Sequence, residues 1–222
     1  MFATQLMIRR WGQLMLGLFL YGVAVALLVR ANVGLDPWMV FSQGLEVQTG
    51  WSIGLTVVLV GAVVLLLWIP LKQRPGIGTV LNVLLIGPVV DLTMLVVETP
   101  DEWWAQWLVF FGGLALLAIA TGLYIGARFG PGPRDGLMTG AHARFGWKIW
   151  KVRTGVEVTV LAIGWLLGGT VGLGTVAFAL LIGPMVGVTL PLLRVPEPHN
   201  PGPAAPTPAV GPASSTVGTV PA

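Results

Sequence analysis

Five polar residues stand where their type and spacing could bind a small charged molecule: Arg30, Asn82, Asp91, Arg128 and Asp135. Asp91 lies deep in an apolar run, and an ionisable group there is expensive unless it faces protein or water. It could hold a cation, a proton or a ligand amine, or be a structural acid hydrogen-bonded to a neighbouring helix. Arg128, Arg134 and Asp135 flank the start of a short helix, where free N–H groups and the helix dipole favour an anion. Arg30 stands in the corresponding place near Asp36. For Asp36 and Asp135 themselves, helix capping is the simpler role. Asn82 is a single amide four residues into an apolar run. It could line a polar path, but a hydrogen bond between helices, worth about 1 kcal/mol, is the simpler reading. Arg153 and Glu157 are four apart and read as an i,i+4 pair. His142 has no His, Asp or Glu at metal-ligand spacing. There is no HExxH, GxSxG or Walker A sequence, so we expect no enzyme, no cofactor and no metal.

The elements that must position these residues follow from composition. Of 222 residues, 55% are hydrophobic and only 9% charged, with mean hydropathy +0.85. A soluble domain would be roughly a quarter charged, so lipid is expected to be the outer solvent and the main partner. The net charge of +3 comes from basic residues scattered among apolar runs, which argues against nucleic acid. There is no cysteine, hence no disulfide or thiolate chemistry.

Six segments are apolar enough to be read as spans: about 11–29, 52–70, 78–97, 106–127, 153–170 and 174–193. Two shorter segments, Leu35–Gln48 and Arg134–Phe145, read as interfacial or re-entrant helices. Arg9 and Arg10 precede a first span with no small-residue cleavage site, so it is read as retained. With the N-terminus inside, Arg9, Arg10, Lys72, Arg74, Arg128, Arg134, Arg144, Lys148, Lys151, Arg153 and Arg194 all fall at the inner side, and only Arg30 falls outside. Lys and Arg are retained in cytoplasmic loops. The expectation is therefore a cell inner-membrane protein with both termini cytoplasmic. Residues 1–194 form its membrane domain, and a Pro-rich tail over 195–222 is too poor in apolar residues to fold.

The stretch GIGTVLNVLLIGPVVDLT, Gly76–Thr93, returns 96 residues later as GLGTVAFALLIGPMVGVT, Gly172–Thr189, with eleven of eighteen positions identical. Gly17-Leu18 matches Gly113-Leu114, Gly34 matches Gly130, and Gly50-Trp51 matches Gly146-Trp147 at the same offset. Each half thus reads span, short segment, span, span, with repeats of about 11–97 and 106–193. Three spans is an odd number, so the second half should enter from the opposite face as an inverted repeat. Gly87-Pro88 and Gly183-Pro184 suggest a local break in the third span of each half. Asp91, one turn beyond, is expected to face the contact between the halves, with Arg30 as favoured partner.

GPGPRDGLM at 130–138, VGLDPW at 33–38, GWSIG at 50–54, GIGTVLN at 76–82 and Asp91 resemble motifs of the YczE/YyaS/YitT-type family of bacterial integral membrane proteins. The resemblance covers about 9–193 and leaves out the tail. It implies a multi-spanning inner-membrane protein and supplies neither a substrate nor catalytic residues.

The sequence therefore predicts an all-α membrane protein of six spans. Its expected function is transport or permeation of a small solute between the halves. The alternative is a non-catalytic component that supports a membrane protein partner or forms a homo-oligomer.

Overall fold

The computed structural model describes residues 2–195; the Pro-rich segment beyond Val195, together with His199, lies outside the described residues. The described residues form eight helices: α1 (Phe2–Ala31), α2 (Pro37–Thr49), α3 (Ile53–Leu67), α4 (Ile77–Met94), α5 (Trp103–Gly126), α6 (Pro133–Phe145), α7 (Ile149–Leu166) and α8 (Leu173–Leu193). A backbone in hydrocarbon must satisfy its own polar groups, and a helix does so within one segment.

Local sequence sets the boundaries. Asp36 caps α2, accepting from the Trp38 N–H at 3.1 Å, and Pro37 fills the first turn. α6 opens the same way at Pro133, but behind Gly132, so no side chain caps it and Asp135 lies inside the first turn. Both short helices end on a left-handed glycine, Gly50 (φ 73°) and Gly146 (φ 70°), whose N–H bonds back to the carbonyl of Glu46 or His142. The expected break at Gly87-Pro88 is absent, since α4 runs through Pro88 and α8 through Pro184 and Pro191. Each proline withholds one N–H, and the neighbouring turns hold the helix together without it.

Four helices are long and apolar enough to cross a membrane on their own, within Thr4–Ala31, Ile77–Met94, Trp103–Gly126 and Leu173–Leu193. α2 and α3 pass the same test as a pair bent by 118°. α3 alone has 15 residues, about 22 Å of helix against a bilayer core of roughly 30 Å. α7 has 18 residues but carries Lys151, Arg153 and Glu157 in its first half, which makes it less apolar than the four.

The centre is the antiparallel pair α1 and α5. Gly17 lies against Leu123 and Tyr124, while Gly113 lies against Leu27 and Ala24. Leu14, Leu18, Leu28, Phe110, Leu114 and Leu117 are buried around them. α4 packs on α1 and α8 on α5; α3 packs on α4, whereas α7 packs on α2. α3 meets α4 at Gly54 and Gly87, where a Cβ on either would sit within van der Waals overlap of the other's backbone oxygen. The outward faces keep large apolar side chains such as Leu84, Leu108, Leu166 and Leu180 exposed. So much bare hydrocarbon on one protein fits a lipid surround.

The repeated Gly-x-Gly-Thr ties the halves together. The Gly78 N–H at the start of α4 donates to the Phe129 carbonyl at 3.0 Å, and 96 residues later the Gly174 N–H donates to the Val33 carbonyl at 2.8 Å. Phe129 and Val33 are themselves 96 apart. Each half therefore seats the start of its last helix on the loop before the other half's short helix. Thr79 Oγ1 adds a bond to the Pro131 carbonyl at 2.7 Å.

Candidate solute site between the short helices

The loops before α2 and α6 both turn inward. Tyr21 precedes the end of α1 by ten residues, or about 15 Å of helix. Its ring nevertheless shares a cavity wall with Asp36, which follows that end. The chain must double back after Ala31 and start α2 inside the protein. α6 does likewise from the other half, and the two first turns meet. Arg134 Nη1 donates to Asp36 Oδ1 at 3.0 Å. The Arg134 guanidinium also lies 5.1 Å from the centre of the Trp38 ring.

Around this pair is a cavity of about 540 Å³. Tyr21 from α1 and Tyr124 from α5 meet edge to face at 5.8 Å on its wall. Asn82 of α4 and Asp135 of α6 line it, as do Arg153 and Glu157 of α7 and Phe178 and Gly183 of α8. The Arg153 Nε–Glu157 Oε1 pair has the expected i,i+4 geometry at 3.0 Å. Arg134 keeps 35% of its side chain accessible although Asp36 beside it keeps 6%. Charges of both signs, two phenols and an amide thus converge where two helix N-termini point. Such a site can hold a polar molecule by hydrogen bonds and charge, with donors aimed by rigid helices. Among the described residues no three His, Asp or Glu side chains gather as metal ligands. His142 Nδ1 instead lies 2.7 Å from the Trp147 carbonyl at the end of α6.

Of the five residues singled out in the sequence, Asn82 and Asp135 line the cavity, while Arg30, Asp91 and Arg128 do not. Asp91 is at the contact of α3 with α4, inside one half rather than between halves. Its Oδ2 accepts from Ser52 Oγ at 2.6 Å and its Oδ1 from the Gly54 N–H at 2.8 Å. The free N–H groups and positive end of α3 account for the acid without a ligand. Arg30 does not reach it; its Nη2 donates to the Met94 carbonyl at the end of α4. The carbonyl of Arg128 accepts from Arg10, which also bonds the Ala127 carbonyl and so ties α1 to the end of α5. Tyr21, Tyr124 and Trp38 were not singled out, because an aromatic residue in an apolar run carries no positional signal until the helices are assembled.

Fold and surface together define an integral membrane protein, helical throughout the described residues, with a cavity whose apolar wall carries charged and polar groups. The chain belongs to the family of unknown function DUF6198, which matches residues 8–191. It is 39% identical over 185 residues to an uncharacterized protein of Haemophilus influenzae, covering 83% of this chain and 85% of that one. It is 31% identical over 189 residues to the uncharacterized membrane protein YczE of Bacillus subtilis, covering 84% and 88%. With the uncharacterized protein YyaS of Bacillus subtilis it shares 22% identity over 183 residues, covering 81% and 91%. The expected kinship with YczE and YyaS is thus met. No solved structure matches the chain.

Proposed function

We propose that the protein is a permease of the cell inner membrane that moves a small solute through the cavity between its halves. In this reading the halves are an inverted repeat of three spans each. α3 and α7 complete the six, α2 and α6 are re-entrant, and both termini are cytoplasmic: of the twelve basic residues Arg134 stands in the cavity, Arg30 falls outside and the other ten fall on or near the inner side. The carrying observation is the convergence of two short-helix N-termini, one from each half, on a cavity of mixed charge. Transporters of inverted-repeat design place binding sites at such discontinuous helices near the midplane.

A difference between the halves supports movement. In the first half Gly87 and Asp91 of α4 are covered by the start of α3. One repeat later, Gly183 and Gly187 of α8 face open space, and a Cβ added at either would meet no neighbour. α7 lies on α2 and α6 instead. In this reading the unlike packing of two halves with related sequences is one state of an alternating pair, closed where α3 meets α4 and open where α7 stands off α8.

Disulfide trapping tests this, and the absence of native cysteine makes it clean. Ser52→Cys with Asp91→Cys should cross-link as the observed packing dictates. Lys148→Cys with Gly187→Cys, the pair one repeat later, should cross-link only when α7 closes on α8. Cross-linking of both pairs in native membranes is the expected result. If the first pair forms and the second never does, the halves do not exchange arrangements and the permease reading fails.

A further inference from the structure

A second cavity adjoins the polar one and differs from it in kind. It is a groove of about 480 Å³ between α2, α3 and α7, lined by residues such as Phe41, Leu45, Leu59, Val63, Val156 and Val160. Its threonines have no hydroxyl donor left for an occupant. Thr49, Thr56 and Thr159 each turn the hydroxyl onto a carbonyl of their own helix, those of Leu45, Ile53 and Gly155. Water needs two to four polar partners to settle in a cavity, and this groove offers almost no polar surface. Hydrocarbon is what it fits.

Trp38, Val60 and Val64 belong to both linings. Trp38 is only 5% exposed, and its indole Nε1 has no hydrogen-bond partner. A buried donor left unpaired is costly, and the indole N–H can only donate. Trp38 therefore stands at the junction of an apolar groove and a polar cavity with one donor unspent. The cavity's charge narrows the polar group further. Arg134 and Arg153 face Asp36, Asp135 and Glu157 there. The N-termini of α2 and α6, each equivalent to roughly half a positive charge, make up the difference. A site with both signs and little net charge suits a polar group that also carries both.

Building on the permease reading, we propose that the solute is a zwitterionic amphiphile. Its polar group occupies the cavity at the starts of α2 and α6, its hydrocarbon chain lies in the α2–α3–α7 groove, and a turn of the Trp38 ring brings Nε1, buried in this state, to donate to its first polar atom. The stance of α7 away from α8 leaves the polar cavity a side opening through which such a molecule would pass from the bilayer.

The test uses the full chain in nanodiscs of dimyristoyl-phosphatidylglycerol with hexadecylphosphocholine carrying a diazirine at mid-chain. Cross-linked peptides are mapped by mass spectrometry. Saturable labelling of residues 59–63 and 156–160 is expected. Unlabelled hexadecylphosphocholine should compete for it, and glycerophosphocholine, the head without the chain, should compete at least tenfold more weakly. Gly155→Leu should abolish it, because a Cβ there meets no neighbour and the added side chain only fills the groove. Trp38→Phe, which keeps the ring and removes the donor, should weaken apparent affinity about fivefold, as loss of one hydrogen bond does. Labelling that does not saturate on the unmutated protein identifies an ordinary bilayer chain and overturns the proposal, whatever the variants do. Saturable labelling indifferent to Trp38→Phe and Arg134→Gln also overturns it, since the chain would then bind without its head. If labelling fails while the Lys148–Gly187 cross-link forms, the amphiphile falls and the permease reading stands.

Discussion

Arg134 donates to Asp36 across 3.0 Å and so joins the first turns of two short helices from opposite halves of the chain. Asp36 is already engaged as the cap of α2, so one carboxylate ends a helix and bridges the halves. The Arg134 guanidinium in turn lies over the Trp38 ring, 5.1 Å from its centre. Position is thus imposed on the charged groups by backbone that doubles back into the protein, which only Gly- and Pro-rich loops such as 130–133 readily allow.

Removing this bridge should be felt in stability as well as in binding. Arg134→Gln leaves Asp36, 5% exposed, without its cation. Because Arg134 is itself partly accessible through the cavity, the loss should be about 2 kcal/mol, below that of a fully buried pair. Unfolding in a mild detergent would measure it. An unchanged midpoint would mean that the pair does not hold the two halves in register.

Asp91 should prove structural. Asp91→Asn keeps an acceptor for the start of α3 and should cost about 0.5 kcal/mol, whereas Asp91→Leu loses both bonds and should cost about 1–2 kcal/mol. Both variants, once folded, should retain Lys148–Gly187 cross-linking. Loss of that cross-link in well-folded Asp91→Asn would return the acid to the working part of the protein.

The difference between Asp91 and Asp135 shows what the sequence could reveal. Hydropathy and the 96-residue repeat located each helix, with the short ones expected at 35–48 and 134–145 and observed at 37–49 and 133–145. Those signals are local, because period, glycine and proline act within a few residues. Whether a buried acid meets a solute or a helix end depends on which N-terminus packs beside it. Gly54 and Gly87, 33 residues apart, bring α3 onto Asp91, and nothing near Asp91 records that. Arg153 and Glu157 were rightly read as a pair, but that pairing left their place on the cavity wall hidden. The unlike packing of α7 and α3 was illegible too, since the two halves carry nearly the same instructions.

Topology is open to the same cysteine-free background. Single cysteines placed at Arg74 and Lys148 should react with a membrane-impermeant thiol reagent only from the cytoplasmic side, and one at Thr99 only from outside. Apart from Arg30 outside and Arg134 in the cavity, the basic residues fall on or near the cytoplasmic side in this arrangement. A cysteine at Lys148 labelled from outside would remove α7 as a span and the inverted repeat with it.

The central claim is that the cavity between the halves is a hydrated path. Asn82→Cys tests it most directly, because Asn82 lines that cavity from α4 while Leu84, two residues on, faces outward. In sealed membrane vesicles of both orientations, Asn82→Cys should be modified by a small charged thiol reagent, and Leu84→Cys should not. Closing α7 on α8 through the Lys148–Gly187 disulfide should protect Asn82→Cys from the cytoplasmic face. A folded Asn82→Cys protein that stays unreactive from both faces would contradict the account, since the cavity would then be sealed and could pass nothing.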